Sequence, residues 1–75
     1  MPPYTTRQTD VFLDALVSAI NEHGALTDFR LESLIHRSLG RRYPIEEVVG
    51  YVNARIRDGT LKPVQEEGYP LCYTL

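Results

Sequence analysis

The chain has 75 residues, and its ten acidic and eight basic residues give a formal net charge of −2. This length fits one domain, residues 1–75 with residues 1–5 as a short N-terminal arm, and it leaves too little buried surface for a deep active-site cleft. Hydrophobic residues make up 43% and charged residues 24%, which is typical of a folded domain and unlike a disordered one. Nucleic-acid-binding domains of this size are usually basic, so the charge counts mildly against DNA.

No group of residues has the spacing that catalysis or metal binding requires. Cys72 is the single cysteine, so it can form neither an internal disulfide nor a cysteine zinc site. His23 and His36 lie on different predicted helices without a third ligand at metal spacing, and no nucleophile, base and orienting residue follow a known pattern. We therefore expect a protein that is not an enzyme and holds no metal or cofactor.

The sequence carries no signal for membrane insertion or secretion. Met1 to Tyr4 lack the basic, apolar and small-residue succession of a signal peptide, and no run of about 18 apolar residues occurs. Together with the unpaired Cys72, this predicts a protein of the reducing cytoplasm that does not enter a membrane.

The first helix is predicted to begin with the capping box Thr5 to Gln8 and to end near His23, where Gly24 stops it. Five apolar residues at helical spacing form its predicted core stripe: Phe12, Ala15, Leu16, Ala19 and Ile20. Leu13 and Val17 widen this stripe beyond the needs of one small core. They predict a surface that a partner covers, such as a second copy of the chain.

A second helix is predicted after the short extended link Ala25-Leu26, with Thr27 or Asp28 as its cap and Gly40 as its end. Its apolar face consists of Leu31, Leu34, Ile35 and Leu39. Arg41 to Tyr43 then form a turn.

The third helix is predicted to carry Pro44 at its first position, where a missing N–H costs least, and to close at Asp58-Gly59. We expect five residues to point inward: Ile45, Val48, Val49, Val52 and Ile56.

The period of the pattern then changes from helix to strand. Leu61 to Gln65 predict a short strand that Pro63 restricts to an edge, and Glu66 to Gly68 predict a turn. A second strand follows, with Leu71, Tyr73 and Leu75 on its buried face.

This order of elements resembles the winged helix-turn-helix superfamily. Leu31 to Leu39, the turn through Tyr43 and Pro44 to Gly59 are similar to its two paired helices, and Asp58-Gly59-Thr60-Leu61 before a hairpin is similar to the entry of its wing. The resemblance implies an α+β, mainly α fold: a three-helix winged helix-turn-helix with a C-terminal β-hairpin wing.

The resemblance also implies a function, in which the third helix enters the DNA major groove and the wing, Gln65 to Tyr69, touches the backbone. Carried over by position, the residues that face the groove are Arg42, Tyr43, Glu46, Glu47, Gly50, Tyr51 and Ala54. Arginine forks suit phosphate oxygens, so the basic cluster would grip the backbone. The predicted DNA-binding residues are Arg37, Arg41, Arg42, Tyr43 and Tyr51, in a small transcriptional regulator that acts as a homodimer on double-stranded DNA.

A second interpretation stays open, in which the domain binds a basic protein. Glu46 and Glu47 favour the helix dipole, but with Glu66 and Glu67 they would repel phosphates. Gly50 costs about 1 kcal/mol relative to alanine within a helix, which the close approach of another backbone would explain. The predicted protein-interface residues are Glu47, Gly50, Tyr51, Ala54, Leu13 and Val17. The commonness of DNA binding in this fold narrowly favours the first interpretation.

Overall fold

The computed structural model describes residues 6–75, with side chains from residue 11 onward. Its elements are α1 (Thr6–His23), α2 (Asp28–Ser38), α3 (Ile45–Arg57), β1 (Lys62–Val64) and β2 (Cys72–Thr74). The predicted α+β, mainly helical architecture of three helices and a hairpin is confirmed. The capping box proposed at Thr5 to Gln8 lies outside the residues whose side chains are described. Between residues 6 and 75, no helix is both long and apolar enough to cross a membrane.

One hydrophobic core joins the three helices and the entry of the hairpin. The predicted core stripe of α1 is confirmed, because all five of its residues are buried. Leu16 on α1, Leu31 and Ile35 on α2, and Val48 and Val52 on α3 are almost completely enclosed. Burial of one such side chain contributes roughly 1.5–3 kcal/mol relative to exposure.

The inward face of α3 differs from its prediction in three places. Val49 is only half-buried and does not pack against the core. Ile45 is 40% exposed, because it is the first residue of the helix and lies at the margin of the core. Tyr51 takes a core position instead and is only 7% exposed. Its ring meets the ring of Phe12 edge-on, with the centroids 5.2 Å apart. An aromatic ring on α3 thus fills space that the prediction assigned to aliphatic side chains.

The turn between α2 and α3 begins as a Schellman motif. The Gly40 N–H donates to the Arg37 carbonyl over 3.0 Å, and the Arg41 N–H donates to the His36 carbonyl over 3.1 Å. This pattern requires a left-handed residue after the helix, and Gly40 has φ +66°. The N-cap of α2 is Thr27, whose side chain accepts from the Arg30 N–H.

The sequence predicted Pro44 as the first helical residue of α3. In the structure Pro44 is instead the N-cap, one residue before the helix begins. Its φ of −58° and ψ of 144° are extended, and its carbonyl accepts from the Glu47 and Val48 N–H groups. The ring restrains φ without loss of a helical hydrogen bond, so the shift by one residue preserves the physical reason for the proline.

β1 and β2 pair antiparallel, with Lys62 opposite Thr74 and Val64 opposite Cys72. On the edge of β2 that faces away from β1, Tyr73 forms a bridge with Leu26. The Tyr73 N–H donates to the Leu26 carbonyl over 2.7 Å, and the Leu26 N–H donates to the Tyr73 carbonyl over 3.0 Å. β2 therefore lies between β1 and the link from α1 to α2.

Pro63 lies opposite Tyr73 on the outer strand. Because Tyr73 directs its backbone groups to Leu26, alternation of an antiparallel ladder points the backbone of Pro63 to the open side. The predicted edge position of Pro63 is confirmed. The predicted buried face of the second strand is wrong, since Leu71 and Leu75 are exposed and Tyr73 alone packs partly against the core. Leu61, which directly precedes β1, is 1% exposed and belongs to the core.

Candidate functional site

The solvent face of α3 is the element that the resemblance assigns to recognition. Its exposed residues are Glu46, Glu47, Gly50, Asn53 and Arg57. Glu46, Gly50, Asn53 and Arg57 recur three or four residues apart, so they follow one strip of the helix. We call these four residues the α3 strip.

Gly50 leaves an open place in the middle of the α3 strip. A Cβ atom built there meets no atom within 4 Å, and its φ is not in the left-handed region. Neither local space nor backbone conformation therefore requires glycine at this position. Glycine at this position destabilises the helix by about 1 kcal/mol relative to alanine, and it leaves this part of the surface without a side chain.

Tyr51 was predicted both as a DNA-binding and as a protein-interface residue, but it is buried and offers little surface for either role. It follows Val48 by three residues and precedes Arg55 by four, which places it on the inward side of the helix. The Arg55 guanidinium carbon lies 5.0 Å from the centroid of the Tyr51 ring and covers it from outside. Ala54 is half-buried and contributes less surface than predicted.

The turn before α3 carries the predicted basic cluster. Tyr43 is half-buried, and its ring packs edge-on against Phe12 with the centroids 4.9 Å apart, so it presents only part of its surface to a partner. Arg42 is exposed, but its Nε donates to the Leu39 carbonyl over 3.3 Å and helps to end α2. Arg37 is exposed on α2.

Arg41 has φ +61°, a left-handed conformation that is unfavourable for residues with a Cβ atom, because the Cβ comes too close to the following carbonyl oxygen. This conformation costs roughly 1–2 kcal/mol. Gly40 just before it is also left-handed, so two such residues follow each other. The side chain is exposed, and within the described part of the chain no carboxylate pairs with it. Strain of this kind is found where a side chain must project in one direction for function.

Asp58 joins the end of α3 to the hairpin. Its Oδ1 accepts from the Thr60 N–H over 2.9 Å, and its Oδ2 lies 2.9 Å from Arg55 Nε. The hydrogen bond from the Thr60 backbone, followed by that of the Thr60 hydroxyl and the attraction of Arg55, holds the pKa of Asp58 below its usual value. The Leu61 N–H donates to the Arg55 carbonyl over 3.0 Å, so both sides of this junction are fixed.

The tip of the hairpin is a tight turn. The Tyr69 N–H donates to the Glu66 carbonyl over 3.1 Å, and Gly68 between them has φ +85°, which are the features of a type II turn. Gln65 Nε2 donates to the Tyr69 carbonyl over 3.1 Å. Glu66, Glu67 and Tyr69 are all exposed, Tyr69 at 67%.

A shallow groove of about 170 Å³ lies beside this turn, and we call it the wing groove. Its lining residues are Ala25, Val64, Glu66, Tyr69, Pro70 and Cys72. A second groove of about 210 Å³ separates α1 from α2, with a floor of Ala15 and Ala19 and a rim that includes His23 and Arg37. Leu13 and Val17, predicted as surplus apolar surface on α1, are 37% exposed and half-buried respectively.

Across the part of the chain that the structure describes, no three His, Cys, Asp or Glu side chains come close enough together to hold a metal ion. Cys72 is a free thiol, half-buried, with its Sγ 3.5 Å from the Pro70 carbonyl oxygen.

Comparison of the chain with models of protein families, with curated proteins and with solved structures yields no match.

One residue of these surfaces was absent from the predicted sites, and another was predicted only as part of the wing tip. Asn53 lies three residues after Gly50 and seven after Glu46, so helical spacing alone could have assigned it to the α3 strip. Tyr69 lay within the predicted wing tip but was not considered separately. Its role depends on the turn that places it beside Glu66, and the spacing of apolar residues does not reveal that turn.

Proposed function

We propose that this chain is a protein-interaction domain that binds a basic segment of a partner protein through α3 and the hairpin tip. The observation that carries the proposal is the placement of carboxylates. Glu46 and Glu47 occupy the first turn of α3, and Glu66 and Glu67 occupy the tip of the hairpin. These are the two elements with which a winged helix-turn-helix contacts its ligand, and here each carries a pair of exposed glutamates.

Burial and hydrogen bonding weaken the case for phosphates as the ligand. Tyr51 is enclosed, and Arg42 is partly engaged with the end of α2. Binding to DNA draws its affinity from cations that neutralise phosphates, and the exposed carboxylates oppose this. A basic protein segment reverses the sign, because the same carboxylates then attract the ligand and speed its association.

Gly50 supports an approach to the middle of α3. With no Cβ to displace, a partner backbone can come closer to the helix at this residue than at any side-chain-bearing position. The cost in helix propensity is then offset in the complex rather than in the free domain.

The test compares two ligands by amide chemical shifts of the labelled protein. A short peptide of alternating lysine and alanine should shift the amides of Glu46, Gly50 and Asn53, whereas a mixed-sequence DNA duplex at low salt should shift none of them. Glu46→Gln should weaken the peptide about two- to fivefold, the range of an exposed ion pair. Its matched control, Asp14→Asn, removes an exposed carboxylate from α1 and should leave the affinity unchanged. Shifts with the duplex alone would overturn the proposal.

Gly50→Gln tests the close approach separately. The added side chain enters open space in the free domain, so folding should be preserved or improved. Affinity for the peptide should fall, since the glutamine would occupy the place of the partner backbone. Unchanged affinity would remove the middle of α3 from the proposed surface.

DNA binding is the second candidate, and the strained Arg41 is the observation that favours it. Arg41 could grip a phosphate, while Asn53 and Arg57 on the α3 strip have the donors that read adenine and guanine edges. In this proposal the chain acts as a transcriptional regulator, and a homodimer joined through Leu13 and Val17 compensates for few phosphate contacts per copy. In either proposal we assign the protein to the cytoplasm, where the lone Cys72 would stay reduced.

A further inference from the structure

The hairpin tip of this molecule combines a groove, an exposed aromatic ring and a carboxylate. We propose that the wing groove binds a single arginine side chain of the partner protein. This inference rests on the proposed function and deepens it, since it names one residue of the basic segment and the place where that residue docks.

The size and lining of the wing groove suit the stem of a long side chain. Its volume of about 170 Å³ is close to the roughly 150 Å³ that encloses a benzene molecule in an engineered cavity. Val64, Pro70 and Cys72 provide an apolar wall on which the methylene groups of an arginine can lie.

The polar end of the groove suits a guanidinium group. Glu66 and Tyr69 are the first and last residues of the same tight turn, so a backbone hydrogen bond joins them and both side chains line the groove. Neither side chain is engaged: within residues 11–75 no donor binds the Glu66 carboxylate, and no cation covers the Tyr69 ring. Arginine pairs in a planar fork with carboxylates and stacks on aromatic faces, which favours it over lysine.

The molecule already shows this combination once. Arg55 lies over the Tyr51 ring at 5.0 Å and binds the carboxylate of Asp58 at 2.9 Å. At the hairpin tip the ring and the carboxylate are present, and the arginine has to come from another chain.

The tip is held in shape before the ligand arrives. Two hydrogen bonds of 3.1 Å close the turn, one from the Tyr69 N–H and one from the Gln65 side chain. A partner cannot instead extend the sheet at β1, because Pro63 faces the open side without an N–H. Recognition at the hairpin therefore depends on side chains.

The probes for the test are short Ala/Ser/Gly peptides with one central arginine, lysine or citrulline, titrated into the labelled protein. The arginine peptide should bind in the millimolar range and shift the amides of Val64 and of residues 66–72. Citrulline has the same shape without the charge, and it should bind about tenfold more weakly through loss of the ion pair and the cation–π contact. Free arginine should bind more weakly than the peptide, because its own carboxylate meets Glu66.

Matched variants localise the site. Glu66→Gln should weaken the arginine peptide about threefold, an ordinary value for an exposed ion pair, while Asp14→Asn removes an exposed carboxylate from α1, which does not line the wing groove, and should have little effect. Tyr69→Phe should retain the affinity and Tyr69→Leu should lose it, with unchanged melting temperatures in all four variants.

Two results would overturn the inference. Equal loss in Glu66→Gln and Asp14→Asn would indicate general attraction without a groove. Shifts confined to α3 in the presence of the arginine peptide would also defeat it, yet would leave the proposed function standing. Absence of binding by every basic peptide would defeat the proposed function itself.

Discussion

At the scale of single residues, Gly50 and Arg41 both adopt backbone conformations that their residue types disfavour: Gly50 lies within a helix, and Arg41 has a left-handed φ. Each gives a stability prediction. Gly50→Ala should raise the free energy of unfolding by about 1 kcal/mol, because alanine favours the helix and its Cβ enters open space. Urea unfolding followed by circular dichroism measures this change.

Gly40→Ala is the matched control for Gly50→Ala. Its Cβ would also enter open space, but the left-handed φ of +66° disfavours alanine, so the same substitution should destabilise. If both variants changed stability in the same direction, the distinction between a glycine required by the backbone and one tolerated in a helix would not hold.

Arg41→Gly should stabilise the domain by roughly 0.5–1 kcal/mol. The substitution relieves the left-handed strain of the folded state, and the greater conformational freedom of glycine in the unfolded chain offsets part of that gain. The same variant separates the two candidate functions. If the domain binds DNA, affinity for a duplex should drop with the loss of this cation; if it binds a basic segment, peptide affinity should stay or rise slightly. A melting temperature below that of the parent would show that the arginine is not strained.

At the scale of elements, the junction of α3 with the hairpin depends on the charge of Asp58. Its pKa is lowered in the folded state, so its contribution to stability is present above the ordinary pKa of an aspartate, near 3.9, and is lost as the pH falls through the lower folded value. Asp58→Asn keeps an oxygen for the Thr60 N–H but removes the titrating charge. The difference in melting temperature between parent and variant should therefore be largest near neutral pH and shrink below about pH 4.

Asp14→Asn is the control for that pH series. Asp14 is exposed on α1, so its removal should give a difference in melting temperature that is small at neutral pH. An Asp58→Asn difference that does not change with pH would show that the carboxylate acts by shape alone.

The elements were predictable to the extent that local physics decides them. Glycines at positions 24, 40, 59 and 68 all have positive φ, and the helices and the hairpin turn end at them as expected. The stripe of α1 also followed from its period of apolar residues. Local signals of this kind do not depend on the rest of the fold.

Burial at the ends of elements could not be predicted in the same way. Tyr51 belongs to the core because Phe12 of α1 lies opposite it, and a wheel of α3 alone does not contain that contact. Leu71 and Leu75 alternate with Tyr73, yet they remain exposed and do not pack against the core. The candidate site followed the same rule: its charges could be read from the sequence, whereas the wing groove depends on the turn.

At the scale of the whole molecule, the number of copies separates the two candidate functions. Leu13 and Val17 expose little apolar surface on α1, since Leu13 is 37% exposed and Val17 is half-buried. A stable interface buries about 800 Å² per partner, which is far more than these two side chains provide. For an interaction domain we expect a mass near 8.6 kDa by light scattering at micromolar concentration. A dimer mass for the parent protein, together with a monomer mass for Leu13→Glu, would favour the dimeric DNA-binding regulator.

The bridge between Leu26 and Tyr73 has a consequence for the order of folding. Each helix and the hairpin bring together residues that are near neighbours in sequence, but this pair closes a loop from residue 26 to residue 73. Loop closure of this length costs entropy before any contact repays it, so such a pair forms late. The contact of Phe12 with Tyr51 closes a loop of similar length, so we expect the bridge and the helical core to form together. We therefore expect the hairpin, and with it the proposed arginine site, to open together with the helical core.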